Sequence, residues 1–197
     1  MSRYFIFISN DIYRNKSFIF FSFINIEKGV VGSHQSIGGA EVSHDIVAGF
    51  ARAMAALVKE KTGLVIEPLS RLFVWLIRHA GFIVSEKHLQ KGGCTARRLL
   101  TGEENKSKLA IWGEIVLFKV PEIRKQGSLL PRWSKGAWMG VRVSDGGHII
   151  VNRDGWHSAR EVSRLPESSR WDRAILENSC GLPWSRHEGA VAPTAIG

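Results

Sequence analysis

A chain of 197 residues with 44% hydrophobic and 23% charged side chains can hold one medium or two small cores, and it is too apolar for a disordered tail. Its 27 Lys and Arg stand against 18 Asp and Glu, a net charge of +9 that attracts polyanions at long range, nucleic acid first among them. The two cysteines, Cys94 and Cys180, are too few for a disulfide framework and too far apart for a zinc spacing, which points to a reducing compartment.

Residues 1–29 are rich in Phe, Ile and Asn and contain two apolar runs, Tyr4 to Ile8 and Phe18 to Ile24, split by the polar gap Asn10 to Lys16. Each run is far shorter than the ~20 apolar residues a membrane-spanning helix needs. Arg3 and the gap also argue against a secretory leader. Two strands fit the runs, and a segment foreign to the rest of the chain fits the composition. The expectation is a protein that is neither membrane-bound nor secreted, placed in the nucleus or the cytoplasm.

Next comes Gly32-Ser33-His34-Gln35-Ser36-Ile37-Gly38-Gly39-Ala40-Glu41, a Gly/Ser loop ending in a carboxylate. Such a loop lets backbone approach a bulky polyanion, and a carboxylate on the first helical turn can hold a divalent ion at the same place. From Ala40 to Thr62, Val47, Phe50, Met54, Leu57 and Val58 recur at three and four, which predicts a helix. Glu41, Asp45, Arg52 and Lys59 follow at four, seven and seven on the opposite side. Acid at the N-terminal end suits the helix dipole, and Arg52 and Lys59 further along suit a phosphate backbone. A solvated helix face would read the same way.

Gly63 marks the end of this helix. Pro68 is expected in the first turn of a second, running through Leu69, Leu72, Phe73, Leu76, Ile77, Ala80 and Val84 and buried on most sides. His79 on so apolar a helix reads as a packed, hydrogen-bonded core group rather than a ligand. Thr95 reads as the N-cap of a short helix with Gly102 past its end. Cys94 has no Asp or His partner placed by the sequence and reads as an ordinary thiol.

Beyond Glu103 to Lys108 the apolar period changes to two, at Ile115 and Leu117, then Trp138, Met139, Val141 and Val143, then Ile149 and Val151, then Val162 and Leu165. With turns at Ser144 to Gly147 and Asn152 to Gly155, this predicts a small antiparallel barrel. Between Trp112 and Leu165 nine Lys or Arg outnumber five Asp or Glu, and Trp112, Trp133, Trp138 and Trp156 are interleaved with them. That mixture suits a nucleic-acid surface, with Lys119, Arg132, Lys135 and Arg142 as contacts. It also suits a barrel whose tryptophans are core, the reading preferred for each Trp taken singly. Arg170 to Trp184 reads as a short helix closed by Gly-Leu-Pro-Trp.

Several of these stretches resemble one family in order. The loop to Glu41 resembles the segment around the third catalytic acid of retroviral and retrotransposon integrases. Trp75 to Phe82 is similar to the second helix after that acid in copia-type integrases. Gly92 to Gly102 resembles their Gly-x-Thr-Pro-Tyr-Glu-x-Leu-x-Gly element, with Ala96 in place of proline and Arg97 in place of the aromatic. Trp133 to Gly140 and Glu161 to Pro166 resemble a Trp-x-x-Gly-x-x-Leu-Gly element and the closing strand of the SH3-like barrel behind the catalytic core. The resemblance runs from Val30 to Trp184.

It implies an α+β fold. Residues 30–102 would be the end of a truncated RNase H-like core with one or two strands and two or three helices. Residues 103–166 would be the SH3-like barrel, and 167–197 a tail with a short helix. It also implies Glu41 as catalytic acid and ligand of Mg²⁺ or Mn²⁺, DNA as a non-specific partner, and self-association. Integrase chemistry needs three carboxylates around two metal ions. Only Asp11 precedes Glu41, and Ser9-Asn10-Asp11-Ile12-Tyr13 lacks the Asp-Asn-Gly context of the family's second acid. The expectation is an integrase fragment that keeps nucleic-acid affinity and performs no strand transfer alone. The alternative is a non-enzymatic SH3-like or chromodomain-like module that reads a peptide.

Overall fold

The computed structural model describes residues 38–90, 92–106, 108–119 and 132–187, and the chain divides into two units between Asp45 and Ile46. Residues 1–29, Asp11 and most of the loop before Glu41 therefore lie outside the described residues. Of the first unit only the opening turns of helix α1 (Gly38–Thr62) are described.

In the second unit α1 places Ala51 and Val58 in the core and packs Val47, Phe50, Met54 and Ala55 against it, as the three-four spacing predicts. The helix stops at Gly63, whose φ of 71° is the left-handed turn and whose N–H reaches the Lys59 carbonyl at 2.8 Å.

Helix α2 (Arg71–Glu86) starts later than Pro68 leads one to expect. Leu69 has a φ of 70° and is 95% exposed, so the chain cannot be helical there. The helix instead begins behind Ser70, whose hydroxyl accepts the Phe73 N–H at 3.2 Å. Pro68 is thus a turn residue, and Leu69 is exposed rather than core. Further on, α2 buries Leu72, Trp75, Leu76, His79, Ala80 and Phe82. Helix α3 (Ala96–Thr101) has the expected Thr95 N-cap and a left-handed Gly102 behind it. The nearly buried Glu86 carboxylate links the two helices, accepting from Arg97 Nη1 at 3.1 Å and Asn105 Nδ2 at 2.7 Å.

Five strands follow: β1 (Ile115–Lys119), β2 (Trp133–Val141), β3 (His148–Asn152), β4 (Gly155–Ala159) and β5 (Val162–Arg164). They form one open antiparallel sheet in the order β4-β3-β2-β1-β5, a four-strand meander with β5 returning to pair with β1. The fold is α+β. The expected alternation fails in β2, where every residue from Gly136 to Val141 is buried. The cause is a core on each face. Ala137, Met139, Ile149 and Val151 join the α1 and α2 residues, while Val116, Phe118, Trp138, Val141 and Ile150 pack with Phe82 on the other side. A strand covered on both faces shows no period of two.

Val143 and Leu165 fall outside the strands, and β4, with its Gly-Trp-His-Ser-Ala sequence, carries too little apolar pattern to have been read as one. A bulge interrupts β2 between Trp138 and Gly140. Gly140 has a φ of 132°, and a Cβ there would come within 2.7 Å of His79 Nδ1, so both the backbone and the packing of α2 require glycine.

The carboxyl-terminal segment belongs to the same core. After a 3₁₀ turn at Glu167–Ser169, helix α4 (Arg173–Glu177) is capped by Asp172, and Leu176 is fully buried. The chain then runs beside β3 and β4, with Cys180 N–H on the Asn152 carbonyl at 2.8 Å, Arg186 Nε on the Trp156 carbonyl at 2.9 Å and Trp75 Nε1 on the Gly181 carbonyl at 3.0 Å. Gly155 has a φ of 119°, and a Cβ on it would meet the Arg186 carbonyl at 2.2 Å, which is how the segment comes so close. Among the described residues no helix is long and apolar enough to cross a membrane.

Candidate nucleic-acid interface

Both helix cations of the sequence reading, Arg52 and Lys59, are exposed on α1. They are seven residues apart and so share a stripe of the helix, while Ala51 and Val58 face the core. Glu41 lies on the first turn of α1 and is half-exposed. One turn on, Asp45 is exposed and its carboxylate lies 3.6 Å from His44 Nδ1. Among the described residues no three of His, Cys, Asp and Glu gather as a metal-holding group.

His79 is packed, as expected, but its hydrogen bonding differs. Its ring stacks on Phe82 at 5.7 Å and meets Trp138 edge-on at 5.2 Å, and Nδ1, pressed against Gly140, has no hydrogen-bond partner. Burial, with the Arg78 charge beside it, lowers its pKa to about 4. Cys94 and Cys180 form no disulfide among the described residues.

The sheet cations divide in two. Lys119 ends β1 directly opposite Trp133, and Lys135 is opposite Leu117 one step along the same ladder. Directly opposed residues of an antiparallel pair share a face, as do alternate residues of one strand. Lys119, Trp133 and Lys135 therefore stand side by side on one face, and Arg132 precedes Trp133 just outside β2. Further along this face Ile115 and Ala137 are covered by the core. Arg132 and Lys135 are exposed, and Trp133 is 43% exposed. Lys119 has Glu161 at 3.7 Å, an open contact with much of both side chains in water, worth little in stability and easily replaced.

Arg142 sits at the other end of β2, roughly 20 Å from Lys135 at about 3.3 Å per residue. Its Nε donates to Asp145 Oδ1 at 3.0 Å and its Nη2 to Oδ2, while Asp145 also accepts the Gly147 N–H at 3.1 Å. That bond raises the Arg142 pKa and lowers that of Asp145, and the pair closes the β2–β3 turn. The register thus sets Lys119 and Lys135 on one face beside Trp133, while Arg142 is committed to Asp145.

Trp133 is the member of this cluster that residue-by-residue reasoning set aside as core. The available signal was the alternation Trp133-Ser134-Lys135, which puts the tryptophan and the lysine on the same side of a strand. No family model, curated protein or solved structure matches the chain.

Proposed function

We propose that this chain binds DNA without sequence preference, and that it corresponds to the end of a copia-type integrase core with the SH3-like barrel behind it. The observation that carries the first part is the alignment of Lys119 and Lys135 beside the exposed Trp133 on one face of the sheet, with the exposed Arg132 next in the chain. Lysine and arginine on a strand face contact phosphates, which positions a nucleic acid without reading its bases. Arg52 and Lys59 on α1 extend the basic character beyond the sheet. The meander from β1 to β4, with β5 returning to β1, suits an SH3-like sheet, and the Trp133 to Gly140 element that resembles the family falls on β2.

Glu41 on the first turn of a long helix is where the resemblance expects a catalytic acid. Its partners would have to come from outside the described residues or from another chain, so strand transfer is not assigned to this chain alone.

The test is a Lys119→Gln, Arg132→Gln, Lys135→Gln variant of the full chain, titrated against a labelled DNA oligonucleotide at low salt. Affinity is expected to fall at least about tenfold, since three phosphate contacts are removed. All three side chains are at the surface, so the circular dichroism spectrum should not change. Unchanged affinity in a folded variant would contradict this placement of the interface.

A further inference from the structure

The cluster at the β1–β2 end contains a feature that a phosphate-binding surface does not need. Duplex DNA offers phosphates outward and keeps its base faces stacked inside, so lysines and arginines suffice to hold it. Here a tryptophan stands among the cations, 43% exposed at the open end of a strand whose residues from Gly136 to Val141 are all buried. It occupies the position opposite Lys119 and next but one to Lys135. Lys119 and Lys135 are a diagonal pair, a geometry that sets Cα atoms about 7–8 Å apart, with Trp133 adjacent to both.

An indole held between two ammonium groups can stack on one base while the lysines take the phosphates on either side of it. A base free to stack is an unpaired base. The Glu161 carboxylate lies 3.7 Å from Lys119, and its side chain is largely exposed and can turn away.

Resting on the nucleic-acid reading above, we infer that this surface takes single-stranded nucleic acid, with Trp133 as the stacking platform for an unpaired base. Lys119, Lys135 and Arg132 hold the strand on either side. Since stacking and phosphate contact do not read base identity, the preference is for the unpaired state rather than for a sequence.

The experiment uses the full chain and three fluorescein-labelled probes read by anisotropy at low salt: a 12-residue oligothymidine, a 12-residue oligouridine and a 12-base-pair duplex. The single strands are expected to bind tighter than the duplex, and Trp133→Ala to weaken them about tenfold or more. Trp133→Phe should retain most of the affinity, and Trp133→Ala should weaken the single strands by a clearly larger factor than the duplex. If the duplex binds as tightly as the single strands and Trp133→Ala changes nothing, the single-strand inference is overturned while DNA binding stands. If no probe binds at low salt, both fall, and a peptide partner replaces nucleic acid. If Trp133→Ala weakens duplex and single strand equally, the tryptophan supports the surface rather than stacking on a base, and the inference is again overturned.

Discussion

Replacing Arg164 with methionine is expected to destabilise the protein by about 3 kcal/mol, the low end of what breaking a buried ion pair costs. Glu114 has no exposed surface, and Arg164 meets it with two parallel bonds, Nε to Oε1 at 2.6 Å and Nη2 to Oε2 at 2.7 Å. This fork is what fastens β5, only three residues long, to the start of β1, where Val116 is opposite Arg164. Without the guanidinium a carboxylate remains in the core with its charge uncompensated. The arginine side chain is 42% exposed, so water can reach part of the gap, which keeps the loss near the bottom of the range. The Glu114 bond also raises the Arg164 pKa, so the pair is charged on the basic side at every working pH. Urea denaturation of wild type, Arg164→Met, Glu114→Leu and the double variant measures the pair. The double variant should be more stable than Arg164→Met, because it leaves no lone charge behind. A loss below about 0.5 kcal/mol in Arg164→Met would mean the pair is not closed in solution.

Acid should destabilise the protein through His79 well before its carboxylates titrate. A histidine with an ordinary pKa of 6.5 in the unfolded chain and about 4 when folded binds fewer protons in the native state. Its contribution is therefore fully present above pH 6.5 and is lost progressively as the pH falls to 4. A shift of that size corresponds to about 3 kcal/mol. The cause is geometric: the ring is clamped between Phe82, Trp138 and Gly140, with the Arg78 guanidinium beside it. His148, whose Nδ1 accepts from Trp138 Nε1 at 3.2 Å, is lowered by burial and acts in the same direction. Denaturant midpoints for wild type and His79→Gln between pH 7 and pH 4 separate the terms. The wild type should lose stability more steeply than the variant across this window. Parallel curves would show that His79 protonates without cost.

What could be read from the sequence was set by how local the determining physics is. Helix α1, its stop at Gly63 and the Thr95 and Gly102 caps depend on neighbours within four residues, and all three were legible. The start of α2 was not, because a proline suggests a first turn but cannot reveal that Leu69 is left-handed and Ser70 is the cap. The burial of β2 depends on what covers the sheet. Residues of α1 and α2 cover one face and a second apolar cluster, which includes Phe82 of α2, covers the other, and that arrangement erases the alternation a one-sided strand would show.

The same limit applied to the interface. Lys119, Arg132 and Lys135 could be named as candidates, but that Lys119 and Lys135 share a face with Trp133, and that Arg142 instead answers Asp145, depends on strand register. Glu114 and Arg164 lie 50 residues apart, with no local pattern to join them.

The most direct measurement is the salt dependence of DNA binding by the full chain. With three or four phosphate contacts from the sheet-end cations and their neighbours, the dissociation constant should rise about a hundredfold between 50 and 200 mM monovalent salt. Linear weakening on logarithmic axes with that slope is the result nucleic-acid binding requires. Affinity that does not change with salt, or no binding at 50 mM, would contradict it and leave a peptide-reading module as the function to pursue.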